Sequence, residues 1–364
     1  MPFHPREAQV HLFREMTGNL VVGHTFVAGG TQPKQDRVSV GLLGADYRVA
    51  EGRYQFARIL AGENWNPKLQ APLTQPGVNV KAGEFLLAVN GQDLRGDDDV
   101  YRLFQATAGK QTVLTVGPSA DGARSRPVTV VPVASEEALR LRTWMEDNRR
   151  KVDEMTGGRV AYVYIPDTFA GGFANFNRYF FSQVGKEAVI LDERFNHGGS
   201  IADYIVDYLK RTPQMVNMSR EGEDMVEPAA GIYGPKVMIV NQMSGSGGDA
   251  LPWLFRRAGL GPLVGVRTWG GLVGIGGYPP LMDGGFVTAP RWGLYSAKGE
   301  WDVENIGVAP DIEVEQDPAL TRQGRDPQLE KAVEVVLEQL KTSPPVKIKR
   351  PPYPEYKPRL PATP

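Results

Sequence analysis

Apolar residues in the second half of the chain come in short unbroken runs separated by amphipathic stretches. Residues 159–165, 188–192, 237–240 and 263–268 are apolar and partly β-branched, the pattern of strands buried on both faces. Between them, residues 174–182, 200–209 and 249–255 read as helices, and shorter strands are expected at 285–289 and 293–296. Strands alternating with helices predict an α/β core with its ligands at the carboxyl ends of the strands. An amphipathic helix, 327–341, closes it, and a Pro-rich tail, 346–364, is expected to run on as an extended arm or a disordered tail. The first half reads differently. A helix over 5–16, with Val10, Phe13 and Met16 on one side, stops at Gly18, and a β-branched stretch, 19–27, predicts a strand ended by Gly29 and Gly30. From 31 to 133 short strands (38–43, 54–60, 84–89, 113–116, 128–133) alternate with turns, with a capped helix at 96–105. A linker helix over 135–151, capped by Ser135, joins this β-rich module to the α/β part.

Composition narrows the function classes. With 364 residues, 41% of them hydrophobic, the chain can bury a sizeable core. Lys and Arg number 41 against 42 Asp and Glu, so no charge excess points to nucleic acid or an anionic membrane. There is no cysteine, which removes disulfide and thiol chemistry. Neither a signal peptide nor an apolar span is legible, so a cytoplasmic location is the default expectation. Only four histidines exist, His4, His11, His24 and His197, so a mechanism needing an imidazole base has a short list. His11 reads as a helix-surface residue. His24, in an apolar strand setting, would by itself more often be a core residue than a catalyst.

The stretch with most chemistry in it is Ser244-Gly-Ser246-Gly-Gly, between the strand at 237–240 and the helix that follows. A serine on a tight glycine turn ahead of a helix N-terminus has free N–H groups beside its hydroxyl, which could hold an oxyanion. The same residues also suit a plain strand-to-helix loop, with Asp249 as the helix cap. A second glycine turn, Asn196-His-Gly198-Gly199, follows the strand at 188–192 and is expected beside the first. Alone, Glu304 would be a solvated loop residue, Arg194 and Asn196 a pin for their turn, and Trp269 a packing aromatic.

Two resemblances change the weighting. Residues 76–91, PG followed by GE-x-L-L-x-V-NG, are similar to the core of a PDZ domain, and Gly41-Leu42-Leu43-Gly44 resembles its carboxylate-binding loop. The resemblance implies a peptide-binding module over 36–134. D-x-R-x-N-x-GG at 192–199, the serine elbow, R-T-W-G-G at 267–271 and E-N-I-G-V-A-P-D at 304–311 then resemble, in order, the C-terminal-processing and tricorn-type serine peptidases. That likeness implies a ClpP/crotonase-like core over 135–345 with the PDZ-like domain inserted behind an N-terminal segment, 1–35, that carries the base. The processing branch uses a lysine where this chain has Gly271, so the tricorn branch is the better fit.

By resemblance to that branch, Ser246 is the nucleophile, with Ser244 the alternative hydroxyl, His24 is its base, with His197 the competing candidate, and Glu304 is the orienting acid, with the oxyanion on the N–H groups of Gly199 and Gly247. His197, Gly198 and the 41–44 loop are then expected near the substrate. One departure stands out. Gly23 occupies the place of a family serine that relays between glutamate and histidine, so Glu304 must reach His24 directly, work through water, or leave the ring less well oriented. The resemblance implies peptide substrates, no metal or organic cofactor, no nucleic-acid or membrane partner, and some homo-oligomerisation. The family's upstream propellers do not precede residue 1, which suits either part of a longer chain or a compact relative. The alternative of a different class is a PDZ-bearing scaffold with a dead or weakened peptidase core.

Overall fold

The structure is a computed structural model that describes residues 5–31, 37–276 and 278–355. His4 and residues 356–364 of the expected tail lie outside the described residues. The chain divides into two compact units, one comprising residues 1–28 and 152–364, the other residues 29–151.

Helix α1 (Pro5–Gly18) forms where its spacing predicts. The strand expected at 19–27 shrinks to β1 (Val27–Gly29). His24 lies instead in a turn, at a φ of 60°, because Val21 and His24 both adopt left-handed backbone that no strand accommodates.

The unit spanning 29–151 is built on an antiparallel sheet of β2 (Ala45–Ala50), β3 (Arg53–Ile59), β4 (Phe85–Val89), β5 (Gln92–Asp93), β6 (Thr112–Gly117) and β7 (Arg126–Val130), in the order β2-β3-β4-β6-β7 with β5 on β4. Phe56, Leu86, Leu94, Phe104 and Leu114 fill its core. Two expectations fail here. The strand predicted at 38–43 supplies only single bridges, Val40 to Gln105 and Leu42 to Val133, and the edge strand is β2. Gly41 is the reason: a side chain there would meet Thr107 and Pro132 at 2.2 and 2.6 Å, so the chain passes as a close crossing. The helix predicted at 96–105 is a 3₁₀ turn, Val100–Phe104, because its aspartates bind locally. Asp98 accepts from the Arg95 N–H and Asp99 caps Tyr101.

Helix α2 (Glu137–Thr156) leads into the other unit, a five-stranded parallel sheet. Its members are β8 (Val160–Tyr164), β9 (Ala188–Asp192), β12 (Lys236–Val240), β13 (Leu263–Gly265) and β15 (Ile312–Glu313), ordered β15-β13-β12-β9-β8. The first three are buried along their whole length, as their unbroken apolar runs require when helices cover both faces. Helices α3 (Ala170–Phe181), α4 (Ala202–Leu209), α5 (Gly247–Arg257) and α7 (Pro327–Thr342) supply the cover, with α3 on β8, α4 against α5, and α7 on β9, β12 and β13. Short pairs complete the unit: β10 (Met215–Asn217) with β11 (Met225–Glu227), and β1 with β14 (Gly285–Val287). The strand expected at 293–296 is absent, its place marked by a bridge of Trp292 to Gly274. Helix α6 (Pro318–Arg322) is a single short turn.

Candidate functional site

Strands β9, β12 and β13 run parallel and end side by side, so the turns after them meet at one edge of the sheet. The turn after β9 is anchored by Arg194, whose buried guanidinium pairs with Asp192 at 2.6 Å and Asp326 at 2.9 Å. Asn196 then joins two turns: its Oδ1 accepts from Gly198 N–H at 2.9 Å and its carbonyl from Gly245 N–H at 3.1 Å. Arg194 and Asn196 are thus the pin expected of them.

Ser246 sits at the N-cap of α5 with φ 58° and ψ −115°, a strained left-handed conformation for a serine. The strain is held from both sides. Its N–H donates to Asp249 Oδ2 at 2.9 Å, and Gly198 packs so closely that a Cβ there would lie 2.7 Å from Ser246 Cβ. Asp249 is therefore the third residue of the helix rather than its cap, contrary to expectation. It also accepts from the Thr268 hydroxyl and from the N–H groups of Gly270 (2.8 Å) and Gly271 (3.1 Å), tying the elbow to the 268–271 loop. Burial pushes its carboxyl up from the ordinary range against those hydrogen bonds.

Ser244 is buried and committed, donating to the Glu193 carbonyl at 2.8 Å. Ser246 is the less buried of the two. The glycines beside it are demanded by contact: a Cβ on Gly247 would lie 2.6 Å from the N of Gly199, and one on Gly199 2.2 Å from the Thr168 carbonyl oxygen. The N–H groups of Gly199 and Gly247 donate to no other described residue, so two free donors flank the serine.

The turn carrying His24 is clamped onto the same unit. Thr288 donates its hydroxyl to the His24 carbonyl at 2.7 Å, and Asn305 Nδ2 donates to the Val21 carbonyl at 2.7 Å. The His24 ring lies against the indole of Trp269, centroids 5.3 Å apart, and that indole covers Gly245, next to Ser246. Burial pulls the imidazole below its ordinary value, while Glu304 and then Asp249 oppose the shift. Glu304 makes no hydrogen bond to the ring. It accepts from the backbone N–H groups of Gly23 (2.7 Å), Leu272 (2.6 Å) and Val273 (2.9 Å), and His24 Nδ1 is buried without a partner. Of the three arrangements left open by Gly23, a direct glutamate-to-ring bond is not formed.

Of the remaining expected residues, Gly198 packs against Ser246. His197 is exposed, its N–H bonded to the Pro166 carbonyl. Gly41–Gly44 belong to the other unit, and three of the loop's amides are already used: Gly41 on Phe104, Leu42 on Val133, and Gly44 on the Glu136 carboxylate at 2.6 Å. The carboxylate this loop holds is its own chain's. Sequence reasoning missed the span of Asp249, though S-x-x-D spacing announces a reciprocal cap. It also missed Glu193, wholly buried, its carboxyl driven well above the ordinary range by desolvation and by Asp249. Nothing in the local sequence signals that burial. Among the described residues no group of acidic or histidine side chains is placed to hold a metal.

A parallel sheet whose strand-end turns converge on a strained serine at a helix N-terminus is an arrangement that can present a serine nucleophile beside backbone N–H donors. Residues 159–314 match the model of peptidase family S41 and residues 41–135 that of the tricorn protease PDZ domain, so the chain carries a domain of each kind. It is 38% identical to tricorn protease homolog 1 of Streptomyces coelicolor over 92% of this chain and 31% of the relative. It is 31% identical to the tricorn protease of Thermoplasma acidophilum, covering 90% of this chain and 30% of that one. A crystal structure of the tricorn protease superposes with a TM-score of 0.83 at 30% identity, over 90% of this chain and 32% of the other. The chain spans about a third of the length of the curated tricorn relatives it matches.

Proposed function

We propose that the chain is a serine peptidase unit that cleaves peptides through an acyl-enzyme. The observation that carries this reading is Ser246 itself, strained at a helix N-terminus between the two unengaged N–H groups of Gly199 and Gly247. In this reading Ser246 Oγ attacks the peptide carbonyl, His24 takes its proton and passes it to the leaving amine, and water then releases the acyl group. The oxyanion is held by the two glycine N–H groups, preorganised because neither turn can relax without collision. Glu304 acts through the backbone, locking the Gly23–His24 turn to residues 272–273, and through its charge, which favours the imidazolium. Peptide substrates, self-association and a cytoplasmic location are part of the proposal; no described helix is long and apolar enough to cross a membrane.

A fluorophosphonate probe tests the nucleophile. Labelling should disappear in Ser246→Ala and persist in Ser244→Ala, and a fluorogenic peptide library should be hydrolysed only by proteins that label. An intact, folded chain that neither labels nor cleaves would establish the scaffold reading instead.

A further inference from the structure

The His24 imidazole lacks a hydrogen-bonded orienter. Its Nδ1 is buried without a partner, and both oxygens of Glu304 are committed to backbone N–H groups. Aromatic rings touch it instead: the indole of Trp269 at 5.3 Å with 58° between planes, and the Phe26 ring at 6.0 Å and 74°. Trp269 is itself fixed. Its backbone N–H donates to the Ser244 carbonyl at 2.9 Å, inside the elbow, and its ring lies over two glycines. A Cβ on Gly245 would come within 2.6 Å of the indole, and one on Gly271 within 2.3 Å. The residue before it, Thr268, is hydrogen-bonded to Asp249, which also holds the Ser246 N–H. The indole, itself half exposed, thus lies against both the glycine turn beside Ser246 and the histidine, with its backbone fastened to the former.

We propose that Trp269 is a positioning residue for His24, its indole setting the orientation of the imidazole toward Ser246 and stabilising the imidazolium that forms when the serine is deprotonated. The inference rests on His24 being the base. An aromatic face attracts a cation within about 6 Å, and more strongly where water is partly excluded, as it is around this half-buried ring. The other charged groups leave that task open. Glu304 and Asp249 are the acids whose field reaches the ring, yet neither bonds to it. The guanidinium groups of Arg14 and Arg267, on the neighbouring helix and loop, donate to the carbonyls of Val27 and Ile306. A field without a hydrogen bond favours the charged ring but does not fix its rotation; contact with the two aromatic rings restricts it.

Three variants of the full chain decide it, measured by steady-state kinetics on one fluorogenic peptide selected from the library, with folding checked by far-UV circular dichroism and urea midpoint. His24→Ala is expected to abolish turnover. Trp269→Leu, which keeps an apolar side chain but loses the aromatic face, should lower kcat about thirtyfold, the rate equivalent of a partly desolvated cation–π contact, with KM within about twofold. Trp269→Phe should recover most of that loss. Wild-type kcat in Trp269→Leu, equal impairment of the leucine and phenylalanine variants, or a loss carried by KM would overturn the proposal. Should the leucine variant fail to fold, Trp269→Tyr is compared with Trp269→Phe, and a loss of more than tenfold in both refutes it. Full turnover in His24→Ala would remove the base assignment itself, a result distinct from any of these.

Discussion

Gly23 donates its N–H to Oε1 of Glu304 at 2.7 Å, and a Cβ on Gly23 would lie only 2.9 Å from that oxygen. The glutamate occupies room that a serine side chain would use. Glu304→Ala leaves three N–H groups without an acceptor and frees the histidine turn, so kcat is expected to fall by about a hundredfold or more. Gly23→Ser should act in the opposite sense. Only the flexible end of Glu304 and a tight approach to Gly271 oppose it, and a hydroxyl there can bridge the carboxylate to the orphaned Nδ1. A rise in kcat of about three- to tenfold is expected, and an unchanged or lower kcat in a stably folded variant would refute the relay argument.

The pH dependence follows from the buried imidazole. Its folded-state value lies below 6.5, so the acid limb of kcat/KM should fall below the ordinary histidine value. The sign for stability is the same. The unfolded chain binds the proton first as pH drops, so this group's contribution is present above about 6.5 and is lost as pH falls through the lowered folded value. A pH profile of kcat/KM with its acid limb above that value would contradict the burial argument.

A lysine at the position where the processing branch carries one would displace the Trp269 indole. A Cβ on Gly271 would lie 2.3 Å from the Trp269 ring, and the Gly271 N–H is held by Asp249. Gly271→Lys in a His24→Ala background is therefore expected to give no turnover. The single variant Gly271→Ala should displace the indole and lose about tenfold in kcat. Recovery of peptide hydrolysis by the lysine would show that the site is more plastic than this packing allows.

Ser244 separates stability from chemistry. Its hydroxyl is buried and bonded to the Glu193 carbonyl, so Ser244→Ala should cost about 1–2 kcal/mol in urea unfolding while leaving fluorophosphonate labelling intact. Equal stability with lost labelling would reverse the two serines' roles.

The sequence by itself determined four of the five strands of the parallel sheet and their order along the chain, because a fully buried strand reads as an unbroken apolar run; the two-residue edge strand β15 carried no such signal. It also placed the glycine turns at strand ends, where the parallel sheet makes them meet. What it could not determine was set by contacts between residues far apart. His24 read as a strand residue because its neighbours are β-branched, yet Thr288, Glu304 and Asn305 hold it in a left-handed turn. Residues 38–43 read as a strand because they are apolar, and a close crossing at Gly41 prevented it. Asp249 looked like a cap and became the tie between two loops, and Glu193 showed no sign of burial. Local pattern encodes which face of an element is buried; which loop's N–H a carboxylate accepts, and which ring lies against a histidine, is decided only when the turns are packed against one another.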